Sequence, residues 1–248
     1  MKPADHFSRQ SSHYRDSRPG YPPALYGFLG SAVARAETAL DCATGSGQAA
    51  VDLSDRFAEV IAFDLSARQV AQAAAHPRVH YLVADAAQLP LPDRRVDLVT
   101  VAQALHWLDL PAFYAEVGRV ARTGAVIAAW TYGRIRVTPT VDAVIARLYE
   151  DLVGPYWPAE RRHVENGYRD LPFPFEPLAV PPLSLEADWP LQRVIGYLAS
   201  WSAVQRYKDA VGSDPVEAVH AKLSAAWGVD KRLRRIEWPL AIRAGRIA

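Results

Sequence analysis

The sequence predicts an α/β fold with a mostly parallel sheet, one late antiparallel strand and an inserted helical, proline-rich cover. Three observations carry this. Between residues 38 and 130, β-type runs of about five residues alternate with helical stretches of about ten, the rhythm of βαβ units. After Trp130 the texture changes, and the stretch from Pro155 to Pro190 gathers eight of the 19 prolines among aromatics such as Tyr156, Trp157 and Tyr168. A last β-type run, Arg235–Ile242, then follows two helical segments.

Each element has a local reason. The β-type runs are Thr38–Cys42, Glu59–Phe63, Val79–Ala84, Val96–Val101 and Ala125–Trp130. Gln48–Phe57, Ser66–Ala75 and Leu110–Ala121 space their apolar residues at three and four, as helices do. Ser66 and Asp109 suit helix N-caps, Pro111 suits a first turn, and Gly124 follows the helix that ends near Arg122. Further helices are expected over Leu25–Val33, from Thr138-Pro139, and over Leu191–Trp201 and Pro215–Trp227. No internal repeat or low-complexity linker separates the two halves. The expected organisation is an arm over 1–24, a core over 25–131, a cover over 132–232 and a terminal strand over 233–248 that completes the sheet.

Composition narrows the function. The chain has 248 residues, 50% hydrophobic and 22% charged, which supports a substantial core and excludes global disorder. Lys+Arg 28 against Asp+Glu 27 leaves a formal charge of +1, which removes the main reason to expect nucleic-acid or anionic-membrane binding. The single cysteine, Cys42, excludes an internal disulfide framework and a thiolate zinc cluster, and in a buried strand end it reads as a small hydrophobe. His76 and His80 are four apart, but Pro77 breaks any helix between them, so no metal site is expected. No apolar run nears the roughly 20 residues that span a bilayer, and the start lacks a signal-type apolar region. The expectation is a soluble, cytoplasmic protein.

The chemistry concentrates in Asp41-Cys42-Ala43-Thr44-Gly45-Ser46-Gly47, between the first strand and a helix. Glycines there let the backbone turn sharply and approach a ligand. Asp64 ends the second strand, where a carboxylate can accept two ribose hydroxyls. Asp85 ends the third, where it can accept from an exocyclic amine.

With those residues in place, the segment over about residues 37–131 resembles the class I S-adenosylmethionine-dependent methyltransferases, whose sheet is Rossmann-like. Alanine stands at position 43, where that family usually has glycine. The exit Thr100–Trp107 resembles the stretch that passes under the family's sulfonium. The resemblance implies S-adenosyl-L-methionine as methyl donor and S-adenosyl-L-homocysteine as product. It places Asp41, Ala43, Gly45, Gly47, Asp64, Leu65, Asp85, Ala86, Ala102 and Gln103 at the donor. Tyr14…Arg18-Pro19…Tyr21-Pro22, His106-Trp107 and Trp201-Ser202-Ala203…Tyr207 resemble the trans-aconitate methyltransferase-like (type 11) branch. That branch implies a small-molecule acceptor, a carboxylate first of all, with Tyr14, Arg18, Tyr21, Trp107 and Trp130 on the acceptor side. It implies no nucleic-acid or membrane partner, and a monomer or homodimer.

His106 has two open readings: it orients an acidic substrate or acts as a base, or it fixes the loop after the fourth strand. A nicotinamide-dependent oxidoreductase would share Asp64 and the loop but would want G-x-G-x-x-G, whereas Gln48-Ala49-Ala50 follow Gly47. A non-catalytic module that binds the methyl donor would share the whole front half.

Overall fold

The computed structural model describes residues 20–229 and 231–248. The expectations for Tyr14 and Arg18, and for the arm up to residue 19, lie outside the described residues.

Helix α1 (Pro23–Ala32) leads into β1 (Thr38–Cys42), α2 (Gln48–Leu53), β2 (Glu59–Asp64), α3 (Ala67–Ala71) and β3 (Val79–Val83). Then follow β4 (Val96–Ala102), α4 (Leu110–Val120) and β5 (Ala121–Tyr132). The cover holds α5 (Pro139–Arg147), α6 (Arg161–Glu165), β6 (Glu176–Pro177), β7 (Ser184–Trp189), α7 (Leu191–Ala199), α8 (Ser202–Val211) and α9 (Pro215–Trp227). Strand β8 (Arg234–Arg246) ends the chain's regular structure.

The sheet runs β3-β2-β1-β4-β5-β8-β6. β1 pairs in parallel with β2 and β4, β2 with β3, and β4 with β5, while β8 joins β5 antiparallel. β1 is buried at all five residues, as a strand covered on both faces must be. One face packs Leu25 and Leu29 of α1 and Leu53 of α2 against Ala39, Leu98 and Trp130. The other packs Phe113, Val117 and Val120 of α4 against Leu40, Val99 and Val101. Ion pairs tie the amino edge: Asp97 accepts from the Thr38 N–H at 2.9 Å and pairs with Arg122 at 2.7 Å. The carboxyl edge is left to the loops that carry the candidate chemistry, where ligands of open α/β sheets bind.

β8 belongs to both halves. Leu240–Arg246 pair with β5, whereas Arg234–Pro239 pair with β7. Its inward Trp238 is fully buried, donates to the Tyr197 hydroxyl at 3.1 Å and meets Trp189 edge-on at 5.0 Å. Around it Ile145, Val194, Leu198, Leu223 and Trp227 build a separate apolar cluster.

The structure departs from the sequence reading in three places. Gly124 lies inside β5 rather than after α4; at φ +78° it serves the bulge between Val96 and Leu98 and donates to Ile247 at 3.0 Å. The helix expected over Leu191–Trp201 stops at Ala199, and Ser202 opens α8. β7 went unforeseen, although Leu185, Ala187 and Trp189 alternate inward, because prolines crowd its approach. At the start of β8, Arg234 donates to the Trp227 carbonyl at 2.8 Å, and Arg235 pairs with Glu186.

If Trp238 joins the two halves, Trp238→Ala should lower unfolding free energy by about 3–5 kcal/mol, and Trp238→Phe by less. Urea denaturation followed by circular dichroism measures both; a loss under about 1 kcal/mol for the alanine variant would contradict this role.

Candidate active site

The β1–α2 turn is held in an alternating backbone conformation. Ala43, Gly45 and Gly47 all have left-handed φ, at +53°, +58° and +82°. Glycine accepts this freely, while an alanine costs roughly 1–2 kcal/mol there. At Gly47 there is a second demand: a Cβ would lie 2.1 Å from the Tyr81 hydroxyl. That hydroxyl is itself engaged with the Ala74 carbonyl at 3.0 Å.

Two carboxylates fix this turn. Asp64, at the end of β2, accepts from the Gly45 N–H through Oδ2 and from the Ser66 N–H through Oδ1, both at 2.9 Å. Each oxygen keeps a further lone pair for a ligand hydroxyl. Asp41 differs from the sequence expectation of a ligand-facing acid. It is fully buried, with Oδ2 taking the Thr44 hydroxyl at 2.6 Å and Oδ1 the Thr100 hydroxyl at 2.7 Å. It therefore ties the turn to β4 from below. Burial pushes its carboxyl up to about 6, against the pull of the two hydroxyls.

Beyond Asp64 the edge turns apolar. Leu65 is 54% exposed and Val83 is 52% exposed, two large hydrophobic side chains left open at the ends of β2 and β3. A cavity of about 270 Å³ lies beside Val83, lined by Val83, Ala84, Gln88, Leu89 and Pro90. Asp85 is exposed, with one oxygen on the Ala87 N–H at 2.9 Å, and Ala86 is half-buried next to it. An acid, an apolar slot and a second acid in this order suit a ribose joined to a flat heterocycle. Among the described residues no group of three or more His, Cys, Asp or Glu could hold a metal ion.

The β4 exit is the second wall. Ala102 pairs with Trp130, and Gln103 takes φ +60°, donating its N–H to the Trp130 carbonyl at 2.9 Å. Gln103 Oε1 accepts from the Thr131 hydroxyl at 2.7 Å, which leaves Nε2 buried with no partner among the described residues. His106 and Trp107 sit on one short 3₁₀ turn with ring centroids 4.8 Å apart. His106 Nδ1 lies 3.0 Å from the hydroxyl of Tyr168, a fully buried residue at φ +62°. Burial first, then the charges of Arg161 and His163, push His106 down to about 3. So weak a base is ill matched to proton abstraction near neutral pH and suits a neutral, positioned imidazole.

Trp130 requires a correction. It is fully buried on the α1 face, with Tyr21 edge-on at 5.5 Å, because strand alternation sends Thr131, not Trp130, toward Gln103. It does not wall an acceptor cleft, and Tyr21 is its lid. Cys42 is buried, with its thiol pushed up by burial, in keeping with a small hydrophobe. Residues that the sequence reading passed over are Thr44, Thr100, Thr131 and Tyr168, which position the motif residues and whose partners lie 3 to 62 positions away.

Comparison with known proteins gives the family. Residues 40–129 match the family model described as a methyltransferase domain. A candidate methyltransferase of Dictyostelium discoideum is 32% identical over 95% of this chain and 92% of its own length. A solved structure, a candidate type II methyltransferase of Anaeromyxobacter dehalogenans, shares 51% identity and a TM-score of 0.89, covering 93% of this chain and 98% of that one. A malonyl-[acyl-carrier protein] O-methyltransferase of Marinomonas is 38% identical over 38% of this chain and 37% of its own length.

Two buried groups should give opposite pH dependences. Asp41 binds its proton more tightly folded than unfolded, so between about pH 4 and 6 its contribution to stability falls as pH rises. His106 binds its proton less tightly folded, so between about pH 3 and 6.5 its contribution rises with pH. Relative to Asp41→Asn, the parent should gain up to about 1.4 kcal/mol of stability per unit as pH drops through the first window. Relative to His106→Gln it should lose stability as pH drops through the second. Denaturation curves at several pH values measure both; parallel profiles for parent and variants would contradict the assignments.

Proposed function

Because the chain belongs to the class I S-adenosylmethionine-dependent methyltransferases, in the type 11 branch, we propose that it transfers a methyl group from S-adenosylmethionine to an oxygen of a small carboxylate acceptor. The observation that carries the donor half is the Asp64 carboxylate, fixed on the Gly45 and Ser66 amides beside the left-handed turn. When bound, the donor supplies a methyl carbon on a positively charged sulfur, and displacement by an acceptor oxygen leaves a neutral thioether.

The residues divide the remaining work. Asp64 receives the ribose hydroxyls, Leu65 and Val83 cover the faces of the heterocycle, and Asp85 accepts from its amine. The turn at Ala43, Gly45 and Gly47 lets the backbone lie against the rest of the donor. Ala86, Ala102 and Gln103 complete the wall, and Asp41 acts from beneath by bracing Thr44 and Thr100.

A carboxylate acceptor is ionised at neutral pH and needs no base, which fits a His106 that stays neutral. Catalysis then consists mainly of holding nucleophile, methyl and sulfur in line. The O-methyltransferase relative, similar over 38% of this chain, is in keeping with oxygen as the atom methylated. The cover over 132–232 would close the acceptor side above Trp107.

Calorimetric titration tests the reading. S-adenosylhomocysteine should bind the parent, and NAD should give no heat. Asp64→Ala should weaken S-adenosylhomocysteine by about 2–4 kcal/mol. Its stability should also drop by about 1–3 kcal/mol, because the Gly45 and Ser66 amides lose their acceptor. Binding of NAD with no response to S-adenosylhomocysteine would overturn the proposal.

A further inference from the structure

We propose that the groove between α5, the segment after α6 and β8 binds a phosphate monoester with an apolar body. This site is independent of the methyl-transfer reading.

The groove encloses about 890 Å³, a volume usual for small-molecule sites. Four guanidiniums line it: Arg134 and Arg136 from the link after β5, Arg169 from the segment after α6, and Arg243 from β8. Two carboxylates line it as well, and each already holds a hydrogen bond. Asp142 accepts from the Val137 N–H at 2.8 Å, and Glu165 accepts from the Tyr149 hydroxyl at 2.6 Å. Arg134 pairs with Glu150 at 2.5 Å. Arg136, Arg169 and Arg243 pair with no carboxylate among the described residues. Arg243 is half-buried, stacks 4.6 Å over the Phe173 ring and donates through Nη1 to the Tyr168 and Leu171 carbonyls, both at 2.6 Å. Its Nε and Nη2 have no acceptor among the described residues. A guanidinium held in place and short of acceptors is completed by an anionic oxygen.

Three unpaired cations from three elements exceed what one carboxylate, with one charge and two oxygens, can satisfy. A phosphate monoester brings close to two charges and three acceptor oxygens at neutral pH. A diester brings one charge per phosphorus and lacks the third oxygen. Between the cations the lining is apolar, with Ile135, Ile145, Pro239 and Ala241, and the volume far exceeds a bare phosphate. The ligand should therefore carry an apolar body. A concave groove with a half-buried cation suits such a compact head group better than the broad face of an acidic protein. None of the lining residues belongs to the β1 turn, the ends of β2 and β3 or the β4 exit. Gly167 and Arg169 line the groove, while Tyr168 between them is fully buried with its hydroxyl 3.0 Å from His106. One side of this segment serves the groove and the other the β4 exit.

Calorimetric titration of the full chain with phenyl phosphate, diphenyl phosphate, inorganic phosphate and benzoate tests the site. Phenyl phosphate should bind with a Kd of about 1 mM or tighter, at least about tenfold more tightly than each of the others. Arg136→Gln and Arg169→Gln, both at exposed positions, should each weaken it by about threefold or more. Arg147→Gln, on α5 but outside the groove, should change it by less than about twofold. Arg243→Gln should weaken it most, but Arg243 also braces two carbonyls, so the two exposed variants carry the decision. Saturating S-adenosylhomocysteine should leave the affinity within about twofold of its value without it. No binding of phenyl phosphate, equal binding of any of the other three probes, or tighter binding of an oligoglutamate peptide would overturn the proposal. So would competition by S-adenosylhomocysteine, or unchanged affinity in Arg136→Gln and Arg169→Gln. Failure of S-adenosylhomocysteine to bind would overturn the methyl-transfer reading alone and leave the phosphate site standing.

Discussion

The carboxyl edge of the sheet depends on two carboxylates that spend their oxygens on the protein's own backbone and hydroxyls. Asp64 joins the β1 turn to the start of α3, and Asp41 joins the same turn to β4. A turn with three left-handed residues in alternation would not hold its shape unaided, since Ala43 at φ +53° resists it. The two acids over-determine that shape before any ligand arrives. They pay differently for doing so: Asp64 stays half-open at the edge, whereas Asp41 is desolvated and its proton affinity rises. The division follows from depth in the sheet, because Asp41 is flanked by β2 and β4 and Asp64 ends a strand nearer the rim.

The other half hangs on β8. One strand completes the core sheet with its second part and anchors the cover with its first, so the cover cannot shift without disturbing β5. This connection brings Tyr168 up to His106. The result is an edge with an acidic, partly apolar end at β2 and β3 and the unpartnered Gln103 amide at the β4 end.

Much of the first half was legible in sequence because its signals are local. β1 ran as expected from Thr38 to Cys42, and Ser66, Asp109 and Thr138 cap their helices. The glycine turn with Asp64 and Asp85 is a short-range pattern tied to strand ends. What escaped was non-local or depended on which way a side chain faces. Trp130 looked like a cleft aromatic, but strand parity turns it into the α1 face. Tyr168 meets His106 across 62 positions, from a segment whose prolines erase periodicity. Arg136, Arg169 and Arg243 share a groove only through the fold, and no spacing rule joins them.

The central claim is that the donor turn is built by the protein and not by its ligand. Amide hydrogen exchange at Gly45 and Ser66, measured by NMR without any ligand, tests it most directly. Both amides donate to the Asp64 carboxylate, so both should already be strongly protected, and S-adenosylhomocysteine should add little. Fast exchange at Gly45 and Ser66 in the free protein, with protection arising only on binding, would contradict it.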